Sequence, residues 1–174
     1  MYLNTVVLFS LVASALALPS GTNNRVERRA VLSQRTYAQF QVSNGVGGNA
    51  LEEVFQKFPI DESSLATIDP EDLALIKVAG ETAEQAEVGT GGFNEAIDTA
   101  GGKNTPAGEA LQVGKIKNKV LKLQLSVLRL GAEVASGRTD RVAKLEEQRT
   151  KLAKNVELDR EAAGQRSTAV NFRG

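Results

Sequence analysis

The sequence predicts an all-α protein, a small helical bundle built on a C-terminal antiparallel helical hairpin. Apolar residues recur every three or four positions in a long segment that begins after Pro106. A second segment with the same spacing follows the turn at Ser136-Gly137. Two long helices joined by a short turn are typical of an antiparallel pair, and this pair is the core of the predicted fold.

Residues 5–18 form an apolar run near the N-terminus. The run is too short to cross a bilayer as a helix. It ends in Ala15-Leu16-Ala17, which places small residues at the two positions that a signal peptidase recognises. We therefore expect residues 1–17 to be a signal peptide cleaved after Ala17, and the protein to be extracellular with no membrane span after its removal.

A polar segment follows the apolar run and ends in the dibasic pair Arg28-Arg29. Such a pair after a flexible segment resembles the site cut by kexin-type secretory proteases. The interpretation is that residues 18–29 are a pro-segment and that Ala30 is the mature N-terminus; the alternative is an ordinary charged linker. Residues 30–174 then form a single helical domain with its core at about 37–165.

Short apolar–polar alternations occur near both ends of this domain. Residues 37–42 alternate over six positions, which predicts a short strand, and Val170 and Phe172 alternate in the same way. A minor two-stranded ribbon between residues 38–42 and 169–172 is a further expectation. Residues 44–48 are rich in glycine and predict a flexible loop.

Three shorter helices are predicted between this loop and the hairpin. Asn49 is a candidate cap for a helix over residues 50–58 that ends at Pro59. Asp69-Pro70 is a strong start for a helix to about Val88, because aspartate suits the N-cap and proline the first turn. Residues 93–100 predict another short helix before a glycine pair.

The long helix after Thr105-Pro106 carries two separate sets of apolar residues. The first set keeps heptad spacing: Val113, Ile116, Val120, Leu123, Val127, Leu130 and Val134. The second set lies on another side: Leu121, Leu125, Leu128 and Ala132. A helix that is apolar on two sides belongs in the core, between two partners.

The last predicted helix begins at Thr139 or Asp140 and ends near Ala163. Its apolar residues also keep heptad spacing, interrupted by Arg149: Val142, Leu145, Leu152 and Val156. This helix is the expected partner of the first apolar set.

The composition argues against several function classes. The 174 residues carry no formal net charge and contain neither cysteine nor histidine. The chain therefore lacks thiolate ligands, the commonest metal ligand and the usual general base, and it has no calcium-binding Asp-x-Asp-x-Asp-Gly loop. We expect no catalytic residues, no cofactor, no metal and no enzymatic activity. The balanced charge also predicts no nucleic-acid partner.

Basic residues form a stripe along the long helix, and this stripe is a candidate partner-facing surface: Lys115, Lys119, Lys122 and Arg129. No aromatic residues interleave for base stacking. The alternative is a solvated helix face that pairs with acids of the last helix, Glu146 and Glu147 among them.

The stretch from Tyr37 to Pro59 resembles a group of small secreted proteins of ascomycete fungi whose function is unknown. The helix start at Asp69-Pro70-Glu71-Asp72-Leu73 and the leader with a dibasic site fit the same group. The resemblance implies secretion and a helical domain, and it implies no catalytic or binding residues.

Two functions follow as expectations. The first is a secreted, non-enzymatic interaction protein, effector-like or associated with a cell surface, that binds another protein. The second is a carrier of a small apolar ligand in a cavity between helices. A closed apolar cavity would favour the carrier, and a solid core the interaction protein.

Overall fold

The structure, a computed structural model, describes residues 30–173. The expected signal peptide and pro-segment, with Ala17, Arg28 and Arg29, lie outside the described residues. The described part contains six α-helices: α1 (Tyr37–Phe40), α2 (Ala50–Lys57), α3 (Pro70–Val88), α4 (Phe93–Thr99), α5 (Pro106–Ala135) and α6 (Val142–Glu161). Two short strands, β1 (Gly45–Val46) and β2 (Arg166–Ser167), pair antiparallel, and 3-10 turns occupy Glu62–Thr67 and Thr139–Arg141. The predicted all-α bundle with a minor ribbon is confirmed.

Helix α5 is the central element of the bundle. Thr105 begins it, because its hydroxyl oxygen accepts a hydrogen bond from the Gly108 amide at 3.1 Å, and Pro106 occupies the first turn. The helix packs against α2, α3, α4, α6, both 3-10 turns and β2. Most residues of both apolar sets are buried, so the prediction of a core helix covered on two sides is confirmed.

The two apolar sides of α5 meet different partners. Val127 and Leu130 form one cluster with Leu145 of α6. Leu121 and Leu125 belong to a larger cluster with residues of α1, α2, α3 and α4. The hairpin of α5 and α6 therefore covers one side, and the N-terminal half of the domain covers the other.

Helix α3 runs over the predicted residues and lies close to α5. The Asp69 carboxylate caps it by accepting from the Glu71 amide at 2.8 Å. Gly80 faces Leu125, and a Cβ placed at Gly80 would lie at an ordinary 3.6 Å from the Leu125 Cβ. The contact has room for one methyl group.

The strand predicted at residues 37–42 is wrong, because Tyr37–Phe40 is a single helical turn. Thr36 and Gln39 have the spacing of a capping box, and the Gln39 side-chain oxygen accepts from the Thr36 amide at 2.8 Å. The turn places Tyr37 and Phe40 on one face, where their rings meet edge to face at 5.6 Å and are buried. A strand would have turned these two rings to opposite faces.

The ribbon exists, but its predicted position is wrong. Gly45 pairs with Ser167 and Val46 with Arg166, whereas residues 38–42 and 169–172 do not pair as strands. The loop at 44–48 is accordingly part of a packed structure and not a flexible connection. Gly47 lies so close to the end of α6 that a Cβ would sit 2.5 Å from the Ala162 carbonyl oxygen.

Some capping and burial predictions for the other helices are also wrong. The side chain of Asn49 does not cap α2; the Ala50 amide instead donates to the buried Asp159 carboxylate of α6 at 2.8 Å. Val142 follows the heptad pattern but stands at the start of α6 with 43% of its surface exposed. A 3-10 turn precedes α6, and this shifts the helix relative to its predicted start.

Two aspartate substitutions on α5 test the two-sided burial. Leu125→Asp and Val127→Asp each remove about 2–3 kcal/mol of apolar burial and add a buried charge. Because domains are stable by roughly 5–15 kcal/mol, both variants should be largely unfolded. Val142→Asp, at an exposed site, is the control and should melt near the wild-type temperature. A wild-type melt for Leu125→Asp would contradict the packing of α3 on α5.

Two glycines in helix interiors should respond oppositely to the same change. A Cβ at Gly114 of α5 would lie 2.1 Å from the Thr168 carbonyl oxygen, where the C-terminal segment crosses the helix. Gly114→Ala should therefore destabilise the protein, because this backbone must move. Gly80→Ala meets only an ordinary contact and should be neutral or stabilising by up to about 1 kcal/mol. Urea unfolding of both variants measures the difference, and equal effects would disprove the close crossing.

Candidate functional site

The basic stripe on α5 is paired with neighbouring residues, mostly those of α3. Lys122 lies 2.7 Å from both Glu84 and Glu87, and Lys119 lies 3.3 Å from Glu87. Lys115 donates to the side-chain oxygen of Asn94 of α4 at 2.6 Å. The stripe therefore lies mostly at the contact between α5 and α3, and few of its positive charges are free to bind a partner.

The remaining member of the stripe, Arg129, pairs with Glu133 of its own helix. The acids expected to meet the stripe, Glu146 and Glu147, instead form ion pairs within α6 with Arg149, Lys144 and Lys151. The side chains of the stripe are paired, but its ion pairs are with acids of α3 and of α5 itself and not with Glu146 and Glu147. The residues of α3 lie nearer to these lysines because α3 and α6 cover different sides of α5.

The ion pairs between α3 and α5 shift the pKa values of Glu87 and Lys122. Burial of Glu87 opposes its ionised form, but the hydrogen bonds and charges of Lys122 and Lys119 outweigh burial and hold the pKa of Glu87 below its usual value. Burial likewise opposes the charge of Lys122, but Glu84 and Glu87 outweigh it and raise the pKa of Lys122. Both groups stay charged at neutral pH, which suits a structural ion pair.

Lys117 lies between these lysines in sequence but is completely buried in the structure. Its ammonium donates to the carbonyl oxygens of Val46 at 2.8 Å and Asn44 at 3.2 Å. It also contacts the Glu53 carboxylate at 3.0 Å and the Asn49 side-chain oxygen at 3.4 Å. These contacts hold the loop at 44–49 and the start of α2 against α5, so Lys117 is a structural group.

A second buried network connects α1, α3 and α5. The Tyr37 hydroxyl donates to the Asn118 side-chain oxygen at 2.9 Å, and the Asn118 amide nitrogen donates to the Ala83 carbonyl oxygen at 2.8 Å. Burial raises the pKa of Tyr37 to about 12, so this phenol remains a hydrogen-bond donor at physiological pH. The network holds α1 against α3 and α5.

A groove of about 770 Å³ lies between residues 32–40, α3 and the C-terminal residues 171–173. Its apolar lining includes Leu32, Leu75, Val78 and Phe172. Val78, in the middle of α3, is 58% exposed. The groove continues past Phe172 and Val78 into a shallower depression of about 370 Å³ toward Gly89. This groove is the candidate functional site.

The charged residues on the lining of the main groove are arginines. Among the described residues, Arg35 and Arg173 line it, and no carboxylate does. The Arg35 guanidinium is held in place, because it lies 4.9 Å from the centre of the Phe58 ring and donates to the Lys57 carbonyl oxygen at 2.7 Å. An apolar floor beside a fixed cation is the chemical character of the site.

The groove could not be found from the sequence, because its walls come from three distant segments. Phe172 lies edge to face with Tyr37 at 5.9 Å, and this contact joins the two ends of the domain. The exposure of Val78 depends on the fold, so the sequence around it carries no local signal of a groove. Residues 30–173 contain no group of acidic side chains that could hold a metal ion.

A charge-neutral substitution tests the buried ion pairs. Glu87→Gln should lower the free energy of unfolding by about 1–3 kcal/mol at pH 7, because it removes the carboxylate that pairs with Lys119 and one of the two that pair with Lys122. The folded-state pKa of Glu87 is depressed, so its contribution is present above its unfolded pKa and is lost as pH falls through the folded value. The difference from wild type should therefore shrink below about pH 4.5.

The matched control is Glu81→Gln on the same helix. Glu81 and Lys77 form an exposed pair at 3.9 Å, and such pairs contribute little. Denaturant unfolding of the three proteins at pH 7 and pH 3.5 gives the measurement. Equal losses for both variants at pH 7 would contradict a special role of Glu87.

Comparison with known proteins identifies the family. No curated protein and no solved structure matches the chain significantly. No helix within residues 30–173 combines the length and apolar character that a membrane crossing requires. The family described as a domain of unknown function, DUF8454, matches residues 32–171, which include every helix and both strands described above. The chain therefore belongs to the DUF8454 family.

Proposed function

We propose that this protein is a secreted, non-enzymatic interaction protein that binds an extended, acidic and apolar segment of a protein partner in the groove beside α3. The observation that carries the proposal is the groove itself, which joins an apolar floor to two arginines. Its volume lies in the range of about 300–1,000 Å³ that is typical of binding pockets. The leader and the dibasic site in the sequence support secretion.

The shape and chemistry of the groove define the partner. An aliphatic side chain of the partner can cover Val78 and Phe172, which removes apolar surface from water. A carboxylate of the partner can then pair with Arg35, whose position is already fixed by Phe58 and Lys57. A preorganised arginine loses less side-chain entropy on binding than a mobile one.

Binding is favoured over catalysis by the residues at the site. The chain has no histidine and no cysteine, and the described lining has no carboxylate to act as a general acid or base. The hydroxyl groups on the lining, Ser33, Thr36, Tyr37 and Thr82, therefore lack an adjacent base of these kinds on the lining. The hydroxyls of Ser33, Thr36 and Thr82 can accept hydrogen bonds from a peptide backbone, whereas the buried Tyr37 hydroxyl is bound to Asn118.

A carrier of a small anionic amphiphile is the second candidate. The same apolar floor and arginines would suit a long-chain carboxylate. The site is an open groove and not an enclosed cavity, however. An open groove suits a segment of a larger partner better than a ligand that must be shielded from water.

Peptide selection tests the proposed function. A random peptide library displayed on phage is panned against the secreted protein, and enriched peptides are expected to combine aliphatic residues with Asp or Glu. Val78→Asp should weaken their binding by roughly tenfold or more, because it places a charge on the apolar floor. Val88→Asp is the matched control, since Val88 is an equally exposed valine of α3 outside the groove.

The outcomes separate the two candidates. Peptides whose binding depends on Val78 and not on Val88 support the interaction protein. A fluorescent long-chain fatty acid that binds with the same dependence, without any such peptide, supports the carrier. Absence of Val78-dependent binding to either probe would show that the groove is not the functional site.

A further inference from the structure

We propose that cleavage after Arg29 creates an ammonium group at Ala30 that pairs with the buried carboxylate of Asp72 and fixes the N-terminal wall of the groove. Maturation would then do more than remove a pro-segment, because the new N-terminus becomes part of the structure. The link to the groove rests on the proposed function, whereas the pairing of Ala30 with Asp72 does not depend on it.

Asp72 is a buried acid in the first turn of α3, with only 3% of its surface exposed. Its two oxygens each lie 3.0 Å from the Val31 amide nitrogen, and one oxygen lies 2.7 Å from the Leu32 amide nitrogen. The carboxylate therefore holds the chain directly after Ala30. Residues Val31 and Asp72 are 41 positions apart, so this contact depends on the tertiary fold.

No ion pair within residues 30–173 includes Asp72. Buried carboxylates are usually paired with a cation, because removal of a charge from water is costly. The two backbone amides that Asp72 binds are neutral. A cation beside this carboxylate would complete the site.

Cleavage at the dibasic pair supplies such a cation at the required place. A dibasic-specific endoprotease hydrolyses the bond between the Arg29 carbonyl carbon and the Ala30 nitrogen, with water as the co-reactant. The oxygen of water goes to Arg29, which ends as a carboxylate, and the freed amine of Ala30 takes up a proton. The neutral amide nitrogen of Ala30 thus becomes an ammonium group.

The distance is short enough for pairing. The Ala30 nitrogen is one residue before the Val31 nitrogen, which already contacts both oxygens of Asp72. Successive Cα atoms are about 3.8 Å apart, and opposite charges within about 4–6 Å stabilise each other's ionised forms. A small rotation of the Ala30 backbone can therefore bring its ammonium onto the carboxylate.

The pairing would also order one wall of the groove. Residues 32–36 form this wall, and Leu32 is bound to Asp72 through its amide while its side chain faces the groove. Within the described residues, the donors that meet Asp72 are the neutral amides of Val31 and Leu32. The cleaved chain adds an ion pair at its origin, so maturation and partner binding are coupled through Asp72.

A two-by-two comparison of full-length secreted chains tests the pairing. The wild-type chain and Arg28→Ala/Arg29→Ala, which cannot be cut, are each expressed with and without Asp72→Asn. Mass spectrometry should show that the wild-type product begins at Ala30. The cleaved chain should melt roughly 3–6 °C above the uncut one, and Asp72→Asn should abolish this difference. Glu71→Gln, an exposed acid next to Asp72, is the control and should preserve it.

Selective modification of the N-terminus gives a second test that does not depend on folding of the Asp72 variant. Acetylation of the Ala30 amine near pH 6.5 removes its charge and should lower the melting temperature to that of the uncut chain. Reductive dimethylation keeps the charge and should leave most of the stabilisation in place. Equal melting temperatures of the acetylated and dimethylated chains would overturn the proposal, as would a mature chain that starts elsewhere.

The result is separable from the test of the proposed function. Peptides that bind with Val78 dependence, together with no effect of Asp72 on the cleaved-minus-uncut difference, would leave the groove function intact and disprove the N-terminal pairing. The opposite pattern would establish the pairing and disprove the groove as a peptide site.

Discussion

The buried ammonium of Lys117 is the interaction on which the N-terminal half of the bundle depends. A completely buried cation is tolerated only if acceptors surround it. Two backbone carbonyls, an amide oxygen and the Glu53 carboxylate meet this need. The loop at 44–49 must therefore close over α5, and this closure places β1 where β2 can pair with it and sets the start of α2.

The second constraint is the close approach of the C-terminal segment to α5. Gly114 allows the backbone at Thr168 to cross the helix, and the Thr168 amide donates to the Ala110 carbonyl oxygen at 3.0 Å. The segment then continues to Phe172, whose ring meets Tyr37. Since the groove lies between these two ends and α3, its existence follows from the same crossing. The site is a product of chain closure and not of any local motif.

Electrostatics divides the charged residues of the bundle into two groups. Glu84 and Glu87 of α3 neutralise lysines of α5 inside the bundle, and the acids of α6 neutralise basic residues on its own exposed face. The arginines at the groove have no acid beside them on its lining. Arg35 and Arg173 at the groove therefore differ from the lysines of α5, which are paired inside the bundle.

The sequence by itself determined helices α2 to α6, the side-chain caps of α3 and α5 and the two-sided burial of α5. These features depend on interactions over a few residues: helical periodicity, caps at aspartate and threonine, and helix ends at glycine. They can therefore be predicted from the sequence alone. A local pattern was also the source of one error: the apolar–polar alternation over residues 37–42 predicts a strand, although Thr36 and Gln39 have the spacing of a helical capping box. Only the tertiary structure decided that Lys117 is buried and that the acids of α3 pair with the lysines of α5. It also decided that Asp72 binds the chain directly after Ala30, and that the two ends of the domain line a groove. These contacts join residues 32 or more positions apart, and a local pattern cannot specify which distant charges and rings the packed chain brings together.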